Sequence, residues 1–137
     1  MHIRTYLTAV IYIFSFSFVH AGVDSDIPSS PDASEKYVFY LHGSAEETDG
    51  DSDKYQAAVE AISDNVDNVI SEVRGDTDPN SYAEKIKKQV STLISKGVPA
   101  KNITISGFSK GSIIALATAG AINNKDINYV LLAGCSE

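Results

Sequence analysis

Gly107-Phe108-Ser109-Lys110-Gly111 lies between an apolar run at residues 103–106 and a helix-like run at residues 112–122. A serine flanked by two glycines at this spacing lets a strand turn sharply into a helix. The hydroxyl then projects from the bend, and the helix N-terminus faces any negative charge that develops beside it. Side chains at the two glycine positions would collide as the backbones close. Taken alone the pattern is only moderately specific: with each fixed residue at about 7% abundance, it arises by chance in roughly 4% of chains of this length. Its weight comes from its surroundings.

The first of these is Lys36-Tyr37-Val38-Phe39-Tyr40-Leu41-His42-Gly43-Ser44, an apolar run of strand length that ends in His-Gly about 65 residues before the serine. Together the two segments resemble the α/β-hydrolase superfamily, and the resemblance covers most of the chain from Lys36 onward. It implies that Ser109 is the nucleophile of a serine hydrolase acting on an ester or other small acyl substrate, with no cofactor and no metal. It also implies that two backbone N–H groups form an oxyanion hole, one from Lys110, the residue after the nucleophile, and one from Ser44, in the loop after His-Gly. Such donors are needed because a tetrahedral intermediate carries a full negative charge on oxygen, and losing one costs on the order of 3 kcal/mol in the barrier. His42 and Gly43 then shape the loop, Gly107 and Gly111 support the bend, and His42 is not the catalytic base.

Elsewhere strands and helices alternate. Residues 44–53 read as an acidic, solvated loop, and Asp53 as the cap of a helix with Tyr55, Ala58, Val59 and Ile62 on one face. Residues 66–73 read as a second strand, polar enough to lie at an edge. Asp78-Pro79 opens a longer helix with Tyr82, Ile86, Val90, Leu93 and Ile94 on one face and Lys85, Lys87 and Lys88 on another, a solvated one, and it stops at Gly97. Residues 103–106 form the central strand, the next helix runs to about Ile122, and residues 128–133 make a last strand. The alternation predicts an α/β fold, a three-layer sandwich around a mostly parallel sheet of about four strands, as in a partial α/β-hydrolase fold. A flavodoxin-like sheet in which Ser109 merely caps a helix shares that alternation. A phosphate-binding P-loop is excluded because Lys110 precedes Gly111, and no Gly-x-Gly-x-x-Gly opens the first helix.

The N-terminus reads as a cleavable export signal at residues 1–21: Arg4, then a mostly apolar run at 7–19, then Val19-His20-Ala21 before Gly22. That run is too short to span about 30 Å of hydrocarbon, so the mature protein is expected to be exported with no integral membrane span. Residues 22–35 read as a polar leader without a fold of its own, and 36–137 as the domain. Losing Arg4 with the signal takes the formal charge from −7 to −8, which argues against nucleic acid or an anionic membrane as partner. Cys135 is the only cysteine, so no intrachain disulfide can form. The mature chain has too few soft ligands for a zinc site. Asn102-Ile103-Thr104 matches a glycosylation acceptor but opens a predicted buried strand, which favours coincidence.

One part of a hydrolase is missing. In the resembled family an acid and then a histidine follow the nucleophile, yet 28 residues follow Ser109 and none is His. Without a base the hydroxyl is a poor nucleophile near neutral pH. Asp126 comes too early for the acid, and Glu137 is a weak candidate. The strand at residues 128–133 is also left as a bare apolar edge. The chain is therefore expected to be the N-terminal half to two-thirds of an exported serine hydrolase, nearly inactive as it stands. The alternative is a catalytically dead binding protein that keeps the pocket.

Overall fold

The computed structural model describes residues 23–50 and 52–134. The expected export signal, Cys135 and Glu137 lie outside the described residues.

A single five-stranded sheet organises the molecule: β1 (Val23–Asp24), β2 (Tyr37–Leu41), β3 (Asn68–Ile70), β4 (Ile103–Phe108) and β5 (Asn128–Leu132), in the order β1-β3-β2-β4-β5, with every neighbouring pair parallel. Helices α1 (Ala45–Asp49), α2 (Asp53–Ser63), α3 (Pro79–Ser95) and α4 (Lys110–Ile122) fill the connections. A short 3-10 turn at Ala100–Asn102 leads into β4. Helices lie on both sides of the sheet, giving the expected three-layer α/β sandwich.

Sequence explains most of these elements. Asp78 takes a β conformation and its side chain accepts from the Ser81 N–H at 2.9 Å, so α3 starts where Pro79 fits the first turn. The helix stops before Gly97, whose φ of +98° a side chain would resist. Alternation in β2 and β4 sorts side chains between the two faces. Tyr37, Phe39, Leu41, Ile103 and Ile105 pack with Ile86, Val90 and Leu93 of α3 and Ile114 of α4. On the other face Tyr40 and Val69 meet Tyr55 and Val59 of α2.

Four expectations need correction. Ser52, not Asp53, caps α2, its hydroxyl accepting from the Tyr55 N–H at 3.2 Å, and Asp53 is the first helical residue. Residues 44–53 are not simply a solvated loop: Ser44 caps the short α1, and this helix turns acidic side chains inward. The second strand is not at an edge and the sheet has five strands, because Val23–Asp24 pair with Val69 and Ile70. The polar segment before β2 is also held to the domain. The Gln89 amide donates to Asp26 at 2.8 Å, and the Asn102 amide donates to the carbonyls of Ala33 and Glu35 at 3.3 and 3.2 Å. A polar stretch too poor in apolar residues for a core of its own can still be ordered by hydrogen bonds to a neighbouring one.

The far edge matches its reading. In β5, Val130, Leu131 and Leu132 are 42%, 47% and 49% exposed, and among the described residues no strand pairs with the outer side of this apolar edge.

Candidate active site

β4 delivers the chain to Ser109 and α4 leaves at Lys110, so the predicted bend is where the sequence put it. Ser109 has φ 52° and ψ −119°, close to the first central position of a type II′ turn, which normally belongs to glycine. A side chain there costs of order 1–3 kcal/mol and persists only where the surroundings over-determine it. They do here. The Ser109 N–H donates to the Leu132 carbonyl at 2.8 Å, and its own carbonyl accepts from the Ser112 N–H at 2.8 Å. The buried Ser112 hydroxyl adds a second clamp, within 2.6 Å of the Gly107 carbonyl and 2.8 Å of the Leu132 carbonyl, while accepting from the Leu132 N–H at 3.1 Å.

Both glycines of the motif are sterically required. A Cβ on Gly107 would stand 2.2 Å from the Gly111 carbonyl oxygen, and one on Gly111 only 1.9 Å from the carbonyl oxygen of Leu41. The second contact also tells where the bend sits: α4 starts against the end of β2, beside His42-Gly43. A Cβ on Gly43 would lie 3.4 Å from the Ser109 Cβ. The structure therefore brings together Ser109, Lys110, Ser44, His42, Gly43, Gly107 and Gly111. Ser44, Ser109 and Lys110 border one cleft of about 350 Å³, with Pro79, Ile113 and Ala133.

Neither the Ser44 N–H nor the Lys110 N–H has a hydrogen-bond partner among the described residues, and the same is true of the Ser109 hydroxyl. Two unpaired amides on opposite walls of a cleft that also holds a projecting hydroxyl can accept an oxygen that becomes negative.

His42 is fully buried. Its Nε2 accepts from the Arg74 N–H at 2.8 Å, so Nδ1 carries the hydrogen and donates to the Gly43 carbonyl at 2.7 Å. Burial pushes its pKa below the usual value and the nearby Arg74 charge adds to this, outweighing the Gly43 bond and the carboxylates of Glu46 and Glu47. A neutral ring with both nitrogens committed shapes the loop and has no lone pair for Ser109.

Sequence reading missed the charged residues behind the loop. Arg74, its side chain only 3% exposed, donates from Nη2 to the His42 carbonyl at 2.6 Å and pairs through Nε with Glu47 Oε1 at 3.1 Å. The other Glu47 oxygen accepts from the Lys110 ammonium at 2.8 Å, and Lys110 also reaches Asp76 at 2.9 Å. Both carboxylates raise the Lys110 pKa. This ammonium is thus occupied within the protein. One signal for Arg74 was present: it is the only arginine after Arg4 in a chain that otherwise uses lysine. Among the described residues no cluster of His, Cys, Asp or Glu could hold a metal ion, and no helix is long and apolar enough to cross a membrane.

A strained serine on a strand-to-helix bend, after an interior strand of a parallel sheet and beside a His-Gly loop, defines an α/β-hydrolase type of site. Residues 66–136, just over half of the chain, match the phospholipase/carboxylesterase family of that superfamily, and the chain belongs to it. The family suggests a hydrolase of the carboxylesterase or phospholipase kind. Neither a curated protein nor a solved structure gives a significant match.

Proposed function

We propose that this chain carries the nucleophile and the oxyanion hole of a serine hydrolase acting on a small acyl ester. Ser109 attacks the acyl carbonyl, and the N–H groups of Lys110 and Ser44 hold the oxygen as it becomes negative. The observation that carries the reading is the backbone of Ser109: strain at φ 52° beside two unpaired amides is difficult to explain as helix capping alone, and no side-chain cap bond is formed there. The reaction as proposed needs no cofactor or metal. Export through residues 1–21, with neither nucleic acid nor a membrane span involved, completes the proposal.

The proton of Ser109 needs an acceptor. Among the described residues the only histidine is His42, whose lone pair is already used. Turnover by the site as described is therefore proposed to be slow, and this same observation favours the second reading, a binding protein that keeps the cleft without the chemistry.

A fluorophosphonate probe separates the two. Labelling of the wild type that disappears in Ser109→Ala supports a hydrolase. A folded wild type that resists the probe at high concentration while still binding an ester analogue in the cleft supports the binder and removes the enzyme.

A further inference from the structure

Behind the cleft, four charged side chains form one chain of contacts: Arg74 to Glu47, Glu47 to Lys110, Lys110 to Asp76. Its two cations hold the two walls. Arg74 holds the His42-Gly43-Ser44 loop twice, by its own N–H on the His42 ring and by its guanidinium on the His42 carbonyl. Lys110 is the first residue of α4 and carries the other amide.

Glu47 is the one residue that touches both cations. Its side chain is 5% exposed and uses one oxygen for each cation, Oε1 on Arg74 and Oε2 on Lys110. A carboxylate suits this position because its charge serves two cations at once, accepting a hydrogen bond from Lys110 and pairing with Arg74 by charge alone. An amide has one accepting oxygen, and its NH2 faces whichever cation it meets. Asp76 is 93% exposed, so its contact with Lys110 is screened and adds little.

We propose that Glu47 and Arg74 are positioning residues that lock the Ser44 and Lys110 amides at a fixed separation, so that the two halves of the oxyanion hole behave as one rigid unit. Neither residue reaches the reacting atoms. This rests on the proposed hydrolase reading for its catalytic consequence but not for its mechanical one.

The decisive experiment is amide hydrogen exchange on the full chain, comparing wild type with Glu47→Gln and with Arg74→Lys. Loss of the tie should raise exchange at hydrogen-bonded amides of both walls together, those of residues 47 and 74 on the loop side and Ser112 on the elbow side, by about tenfold or more, while Val90 and Leu93 in the core keep their protection. Exchange that rises on only one of the two walls, or on neither, overturns the proposal. A rise spread equally over the core also overturns it, since that marks ordinary loss of stability. Hydrolysis of a p-nitrophenyl ester supplies the second readout: kcat should fall by about tenfold in Glu47→Gln with KM little changed, because the oxyanion forms only in the transition state. If wild type neither turns over the ester nor takes a fluorophosphonate, the hydrolase reading has failed, and the exchange result still decides the tie.

Discussion

The two walls of the cleft are built by different physics. The wall that carries Ser109 is held by steric necessity: two backbones meet at Gly107 and Gly111 with no room for a methyl group, and Ser109 has to take its strained conformation for them to do so. The wall that carries Ser44 is held by buried polar contacts from residues far apart in the chain, with Arg74 reaching back to His42 and Glu47 reaching forward to Lys110. Short-range sterics leave a mark in local sequence, whereas long-range charge pairing does not. The first wall should fail when volume is added, and the second when charge or protonation changes.

Adding one methyl group gives the largest contrast. Gly111→Ala places a Cβ 1.9 Å from the backbone oxygen of Leu41, and backbone cannot move aside as a flexible side chain can. The cost should exceed the usual 1–3 kcal/mol of overpacking, reaching about 4 kcal/mol or more, enough to unfold a domain of marginal stability. Gly43→Ala, on the opposite wall, meets the half-exposed Phe108 ring at 3.3 Å and should cost no more than about 1 kcal/mol. Urea melts of the two variants check this. Equal losses would show that the walls are not held differently.

That asymmetry also accounts for what could be read from the sequence. The elbow glycines, the Asp78-Pro79 start of α3 and the apolar runs that form β2 and β4 are local signals, and each led to the right element. The pairing of β1 with β3 and the inward turn of Glu47 were missed, because each depends on what the chain meets after it has folded; the Ser52 cap is local, and was missed because Asp53 beside it is an equally good capping residue. The short strand β1 shows this best: Val23–Asp24 has no periodicity to detect and becomes a strand only because β3 offers it an edge. Glu47 sits in an acidic run that composition assigns to solvent, and only the buried Arg74 reverses that reading. At the other edge, the charge-free run of β5 was read correctly, since it needs no partner to be recognised.

Acid should loosen the loop wall before the elbow. The folded structure keeps His42 neutral, with its pKa lowered by burial, whereas the unfolded ring takes a proton near 6.5. The unfolded state therefore binds more protons between the folded value and about 6.5, so stability is full above that range and falls as the pH drops through it. The slope is at most about 1.4 kcal/mol per pH unit for one proton. Asp76, Asp78 and Glu72 have lowered pKa values and contribute the same sign only at lower pH, around and below 4. Thermal melts between pH 7.5 and 5 should show a falling midpoint, with the His42 ring signals of the folded protein titrating at lower pH than those of an unfolded histidine. A midpoint that stays flat across that window would contradict a neutral, committed His42.

The smallest effect isolates the strain at the elbow. Ser109→Ala removes the hydroxyl but keeps the Cβ, so the φ of 52° remains as costly as before. Ser109→Gly removes the Cβ as well. Glycine's freedom in the unfolded chain offsets part of the gain, since it has more conformations to lose on folding. The strain to be relieved is of order 1–3 kcal/mol, so Ser109→Gly should remain more stable than Ser109→Ala by about 1 kcal/mol. At an ordinary helix N-cap the difference would be a few tenths of a kcal/mol. A gap of that smaller size, measured by chemical denaturation, would mean the elbow stores no strain and Ser109 is held there by packing alone.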